Sequence, residues 1–478
     1  MKKAISFRTL ALLLLTAISP NLVHGASLLE IYQQALQSDP LIHEAESRRQ
    51  AAHEASPQAR ALLLPQISAG ARYSSSNFDG SSAEGGSLGG IASVSSESST
   101  AATGWTVDLR QTLFRWDQWV GLRQADKRVA QAQVNYEAAQ QDLIVRVVVR
   151  YFDVLAAEDL LTSIHADRTA IARQLEQAKQ RFEVGLIAIT DVQESQAAHD
   201  QSVANEIGAK RSLATAREFL REITGEYVGT LAAPGDDFPL TAPNPASETS
   251  WNDLAMSQNL ALVASRFDEE IARDEIAYRR TGHYPTIDLV ANISSQDSDI
   301  TDQVRNGTGF PDIDTNSDVD SISIQLSVPI FSGGRTSSRV KEAVYLHRAS
   351  RQQLQRIARE TERQTRDAYL GVLSEISRVK ALQQSVASSR TALEATQAGF
   401  EVGTRTIVDV LDSQFALYAA ITNFYQSRYA YIGNALRLKQ AAGSLQVQDL
   451  EEIDRWLKER RRPEDVIADE EKNKASSS

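Results

Sequence analysis

Phe400-Glu401-Val402-Gly403-Thr404-Arg405-Thr406-Ile407-Val408-Asp409-Val410-Leu411-Asp412-Ser413-Gln414 has a twin earlier in the chain. Phe182-Glu183-Val184-Gly185 continues through Ile189, Asp191 and Val192 to Ser195-Gln196, 218 residues upstream (400 − 182). Leu64-Pro65 recurs as Tyr284-Pro285, and Leu113-Phe114 as Ile330-Phe331, at nearly the same offset. A unit of roughly 220 residues is present twice, a period far longer than the 20–50 residues of solenoid repeats. This internal two-fold repeat predicts a first unit over 26–225, a linker over 226–250 and a second unit over 251–450.

Around each twin the sequence favours long helices. None of the 12 prolines falls between Pro65 and Pro234 or between Pro329 and Pro463. A proline costs a helix interior roughly 3 kcal/mol, so these tracts are where long helices can run. Val129, Ala132, Tyr136, Ala139 and Leu143 step by three and four residues, as do Val379, Leu382, Val386, Ser389, Leu393, Thr396 and Phe400, a coiled-coil spacing. From Asp117 to Phe182, and from Thr336 to Phe400, each helix would be about 100 Å long at 1.5 Å per residue. Gly185 and Gly403 then mark either tight reversals or kinks in continuous helices. Thr190 and Thr406, where returning helices want capping residues, favour two hairpins with tips near 185 and 403.

Four segments alternate with period two: 66–77, 105–114, 286–296 and 321–331. Ile67, Ala69, Ala71 and Tyr73 interleave with polar residues, and so do Ile322, Ile324, Leu326 and Val328. Each reads as a strand with one apolar face, the pairs being joined by polar loops at 78–104 and 298–320. Strands of about ten residues suit a transmembrane barrel, while a half-buried soluble sheet gives the same alternation. Trp105 at one end of its strand, with Phe114, Trp116 and Trp119 past the other, favours the barrel, because aromatic residues gather at membrane interfaces. Four strands cannot close, and an open edge in hydrocarbon leaves backbone groups unpaired. The barrel must be shared between chains: two copies give eight strands and a filled interior, three give twelve and a lumen.

The remaining composition narrows the function. Lys2, Lys3 and Arg8, the apolar run from Leu10 to Ile18 and Val23-His24-Gly25 read as an export signal over 1–25; the run is too short for a spanning anchor. No later stretch is long and apolar enough for a helical membrane protein. Cysteine is absent, which removes disulfides, thiol nucleophiles and thiolate metal sites. Sixty-two acidic against 50 basic residues argue against a nucleic-acid partner. The seven histidines are scattered, Pro57 stands where His53-Glu54 would need a second zinc-binding histidine, and no phosphate loop is present, so no enzyme is expected. The charged stretch 451–478 reads as a disordered tail. A periplasmic coiled-coil scaffold or adaptor without a pore is the alternative to a conduit.

Asp409 and Asp412 lie three apart, on one face of a helix, where a threefold assembly would stack them into two carboxylate rings that bind and are blocked by multivalent cations. Mutual repulsion would raise some of their pKa values. Thr406 and Asp409 also have the spacing of a helix capping box, which would need no pore.

Val402 to Asp412, Val184-Gly185-Leu186 with Ala188 to Gln193, Leu63 to Gln66, Ala216 with Leu220 to Gly225, and Pro329 to Gly334 resemble the TolC family of outer membrane efflux proteins. The likeness runs from Leu28 to about Leu450. It implies a homotrimer in the outer membrane of a Gram-negative bacterium. In that arrangement a 12-stranded transmembrane β-barrel, four strands per chain, is continued by a 12-helix periplasmic α-barrel of coiled-coil hairpins. It further implies a passive exit duct for tripartite efflux and type I secretion. Such a duct is opened at its periplasmic end by an adaptor (membrane fusion) protein and an inner-membrane RND or ABC transporter, and needs no cofactor. By the same resemblance Asp409 and Asp412 line the periplasmic entrance and Arg405 closes it against Thr190 and Asp191 of a neighbouring hairpin. Gly185 and Gly403 mark the tips where an adaptor docks. One departure is Phe400, where the family's closing network has a tyrosine.

Overall fold

The computed structural model describes residues 26–85, 91–235, 237–305 and 307–458. The export signal expected over 1–25 and the tail beyond residue 458 lie outside them. In chain order the elements are α1 (Leu28–Ser38), α2 (Pro40–His53), α3 (Ala55–Ala61), β1 (Gln66–Gly85), β2 (Ile91–Phe114), α4 (Trp116–Glu183) and α5 (Ile189–Thr224). After the short β3 (Ala233–Pro234) come α6 (Glu248–Gln258), α7 (Leu260–Arg280), β4 (Thr286–Arg305), β5 (Thr308–Gly309), β6 (Ile313–Ser327), α8 (Arg335–Glu401) and α9 (Ile407–Ala441). The described chain ends with α10 (Val447–Asp454) and β7 (Leu457–Lys458). It divides into two compact units.

One unit, residues 45–136 and 260–359, carries the large sheet. Four long antiparallel strands lie in the order β1-β2-β4-β6, with β5 capping the far end of β4. The register aligns the apolar positions of all four. Ile67, Ala69 and Ala71 of β1 face Leu109, Val107 and Trp105 of β2. Val107 and Leu109 face Ile293 and Ala291 of β4, and Ala291 and Leu289 face Ile322 and Ile324 of β6. One face is therefore a continuous apolar band, and it is uncovered in the chain: Ile322 is 80% exposed and Ile324 68%. The other face is polar. Arg110 donates to Asp288 across β2 and β4 at 2.6 Å, and the Asn292 amide donates to Asp108 at 2.8 Å and Thr106 at 3.0 Å. In the helical part of this unit Lys127 sits between Glu270 (3.1 Å) and Asp274 (2.8 Å).

The strands are longer than the alternation indicates. Residues 78–85 and 91–104, expected within a loop, continue β1 and β2; residues 298–305 and 313–320 continue β4 and β6. These extensions are rich in serine and aspartate, so the backbone ladder forms without a hydrophobic period to announce it. Trp105 consequently stands in the middle of β2, paired with Ala71 and Ser295, and not at a strand end. β6 stops at Ser327, before the expected 331, where Pro329 has no N–H to offer a ladder.

The other unit, residues 26–44, 137–259 and 360–458 among those described, is helical. α4 and α5 run antiparallel: Arg217 pairs with Glu158 at 3.0 Å and Arg168 with Glu206 at 2.8 Å. α8 and α9 do the same, with Ser427 donating to Glu375 at 2.7 Å and Ser413 to Thr396 at 3.2 Å. α9 also lies against α4, where Tyr429 donates to Asp159 at 2.5 Å and Gln414 to Asp167 at 2.8 Å. Leu143, Val147, Tyr151 and Leu155 of α4 form the core with Leu28, Leu213, Leu436 and Leu438, all at most 2% exposed. α6 begins inside the stretch expected as linker. The expected tail also starts late: Glu451 to Asp454 finish α10, Asp454 accepts from Leu28 N–H at 2.8 Å, and β7 pairs with β3. Buried Leu450 anchors this end, an apolar foothold that the surrounding charge obscures.

Candidate functional site at the hairpin tips

Each long hairpin turns through the same backbone motif. At the first tip Leu186 N–H bonds to Arg181 C=O at 2.8 Å and Gly185 N–H to Phe182 C=O at 2.9 Å; at the second, Thr404 N–H bonds to Gly399 C=O at 2.8 Å and Gly403 N–H to Phe400 C=O at 3.1 Å. This paired closure needs a left-handed residue, which Gly185 (φ 77°) and Gly403 (φ 79°) supply. The tips present Val184, Leu186 and Val402, each at least 70% exposed.

The returning helices start differently. Thr406 is the N-cap of α9 and forms the full capping box: Asp409 N–H donates to Thr406 Oγ1 at 3.2 Å, and Thr406 N–H donates to Asp409 Oδ2 at 2.8 Å. At α5 the cap position is Ala188, with no side-chain bond. Thr190 is therefore not a cap; it lies inside the first turn, two positions past it, and its hydroxyl donates to Asp191 at 3.4 Å. The Thr406 amide and then its hydroxyl, with the Arg405 charge behind them, hold the Asp409 carboxyl below the ordinary carboxylate range. Within one chain this runs opposite to the rise expected from a ring. Asp412 is exposed one turn on.

Arg405 does not meet Thr190 or Asp191 within the chain. Its guanidinium lies 3.8 Å from Asp409 of its own turn, mostly exposed. Its stem folds over Gly399, where a Cβ would come within 2.8 Å of Arg405 Cγ. Phe400 faces the first hairpin, with the Arg181 guanidinium 4.8 Å above its ring. Gly399 and Arg181 escaped the sequence reading, although the repeat offset sets them opposite each other and their difference was visible there. In the sheet-bearing unit Trp105, Phe114, Trp116 and Trp119 are all between 40% and 53% exposed; the last two begin α4.

Two long helical hairpins and a sheet with one apolar face have counterparts among known proteins. The sequence model of the outer membrane efflux protein family matches residues 31–226 and again 251–444. The chain belongs to the outer membrane efflux protein family. It is 38% identical over 436 residues to the outer membrane protein TolC of Vibrio cholerae, covering 91% of this chain and 95% of that protein. It is 36% identical to Escherichia coli TolC, over 90% of this chain and 85% of that protein. It is also 29% identical to the alkaline protease secretion protein AprF of Pseudomonas aeruginosa, over 89% and 86%. The crystal structure of the outer membrane protein VceC of Vibrio cholerae shares the fold, with a TM-score of 0.69 at 17% identity over 87% of this chain and 96% of that one. This efflux protein resides in the outer membrane and acts as an efflux channel, not an enzyme; the poreless scaffold is set aside.

Proposed function

We propose that three copies of this efflux protein close into one duct that spans the outer membrane and opens into the periplasm, serving tripartite efflux and type I secretion. The observation that carries this reading is the sheet. Among the described residues β1 pairs only with β2 and β6 only with β4, so a sheet with an apolar face ends in two open edges. Hydrocarbon admits no such edge. Antiparallel order continues if β6 of one copy meets β1 of the next. The polar face, with Arg110, Asp288, Asp108 and Asn292, needs water, which a twelve-stranded barrel admits and an eight-stranded one fills with side chains. A strand of 20 residues is about twice what a tilted membrane strand needs, so the polar extensions project beyond the bilayer.

In this reading the hairpin tips form the periplasmic entrance. Asp409 and Asp412 of three chains make the acidic ring, and Arg405 closes it against Thr190 and Asp191 of a neighbouring hairpin, able to do so because its ion pair with Asp409 is weak and exposed. Phe400 adds no hydrogen bond to that closure. The exposed tips around Gly185 and Gly403 take the adaptor, and an inner-membrane RND or ABC transporter drives the passage. The secretion role rests on the likeness to the alkaline protease secretion protein.

Because the chain lacks cysteine, engineered pairs test the assembly cleanly. One cysteine fixed on β1 and others walked along β6 should give a ladder ending at the trimer, and planar-bilayer recording of the product should show a multivalent-cation-sensitive pore. A ladder that stops at two, or a stable lipid-free monomer, overturns the proposal.

A further inference from the structure

We propose that Arg181 is a latch residue of the entrance, holding the tip of the first hairpin to the tip of the second within each chain through the face of Phe400. The inference rests on the duct reading and adds a residue that reading does not use.

Among the contacts that join α4 to the second hairpin, three mark increasing distance along α4. Asp159 accepts from Tyr429 at 2.5 Å, Asp167 from Gln414 at 2.8 Å, and Arg181, in the last turn, lies over Phe400 at 4.8 Å. The first is a buried hydrogen bond to a carboxylate, and Gln414 in the second is 1% exposed. Hydrogen bonds to charged groups in such places are strong and cooperative. The third is a cation against a ring at the rim of a recess that also includes Val184, Ile407 and Val410. Such contacts are weak when water reaches them. Strength therefore falls from the middle of the helices to the tip. Any motion that parts the two hairpins breaks the Arg181 contact first and leaves the inner pairs as the pivot. Arg405 cannot substitute within the chain, since its partner Asp409 lies in its own turn.

Arg181 also complements the C-terminal end of α4, a role that any cation would fill. The two roles separate by substitution. Arg181→Lys keeps the charge and loses the planar stack, Arg181→Gln loses both, and Phe400→Leu keeps the apolar contact and loses the ring.

Single-channel recordings of the full-length protein in planar bilayers supply the test. Arg181→Gln and Phe400→Leu should each raise the open-to-closed ratio about two- to five-fold, the range for a surface cation–π contact. The double variant should do no more than either single, and Arg181→Lys should fall between. Unchanged gating in Arg181→Gln, additive effects, or Arg181→Lys indistinguishable from wild type would each overturn the latch while leaving the duct intact. If the wild-type protein conducts nothing, the duct reading itself fails. Should Arg181→Gln assemble poorly, Phe400→Leu with Arg181→Lys still decides the matter.

Discussion

Ile324 and Ser323 are neighbours in β6 that point to opposite faces, and a lysine at each gives opposite results if the apolar band meets lipid. Ile324 stands midway along the apolar positions Ile322, Ile324 and Leu326 of its strand, 68% exposed, beside Leu289 on β4. A lysine facing lipid near the bilayer midplane costs about 2–4 kcal/mol in an outer-membrane barrel. Three copies bring the penalty for one barrel to about 6–12 kcal/mol, comparable with the 5–15 kcal/mol by which folded proteins are stable at all. Ser323 faces Val290 on the polar side, where a lysine stays in water and changes stability by less than about 1 kcal/mol. The assay dilutes urea-unfolded protein into phospholipid vesicles and measures the inserted fraction by flotation across a urea series. Ile324→Lys should lose insertion at urea concentrations where Ser323→Lys and wild type are fully inserted. Equal loss in both variants, or none in either, would refute the assignment of faces and with it the barrel.

Replacing Asp409 and Asp412 together by alanine should abolish block of the pore by multivalent cations. Because the folded pKa of Asp409 is depressed, its charge and the stability it confers are full above the unfolded carboxylate value and lost as pH falls through the lower folded value. In the wild type the block should therefore persist below the ordinary carboxylate range, and conductance titrations check it. Gly399→Ala would push its new Cβ into Arg405 Cγ and displace the arginine stem, so Gly399→Ala and Arg405→Ser should both raise conductance, with unchanged assembly. The fully buried Tyr151 hydroxyl donates to Ala232 C=O at 2.6 Å, so Tyr151→Phe leaves that carbonyl unpaired and should cost about 1–3 kcal/mol, read as a lowered thermal midpoint.

What the sequence disclosed depended on whether each force leaves a local period. The apolar belt was legible because apolar residues alternate with polar ones along the strands, and the long helices because proline is excluded from their interiors. The extensions of β1, β2, β4 and β6 were not, since their serine- and aspartate-rich sequence carries no alternation even though the ladder is the same. Gly185 and Gly403 announced the reversals, and Thr406 with Asp409 its box. Thr190 misled because a threonine near a helix start resembles a cap, while the cap position of α5 lies two residues earlier, at Ala188. The contact of Arg181 with Phe400 joins residues from different repeats and has no local signature.

The duplicated tips have diverged into different devices, and the offset of 218 residues shows how. Where the second tip has Arg405, the first has Ile187, which packs against Leu175, Ala178 and Val192. Where the second has the capping residue Thr406, the first has Ala188; where the second has Gly399, leaving room for an arginine stem, the first has Arg181. One tip is thus held by apolar packing, which has no preferred partner outside the chain. The other is held by a polar cap, which orients a carboxylate and leaves an arginine exposed. In a threefold ring the two would alternate, three fixed posts and three charged gates, so widening the entrance would require only the gates to move. This division predicts separable variants. Ile187→Ser should destabilise the first tip by about 1–2 kcal/mol, seen as faster local amide exchange, while leaving cation block as it is. Thr406→Ala keeps the amide bond to Asp409 but loses the hydroxyl bonds, so it should move the acid limit of cation block part of the way upward, leaving exchange at the first tip unchanged. If both variants alter block and exchange alike, the two tips act as one ring of equals and the division is wrong.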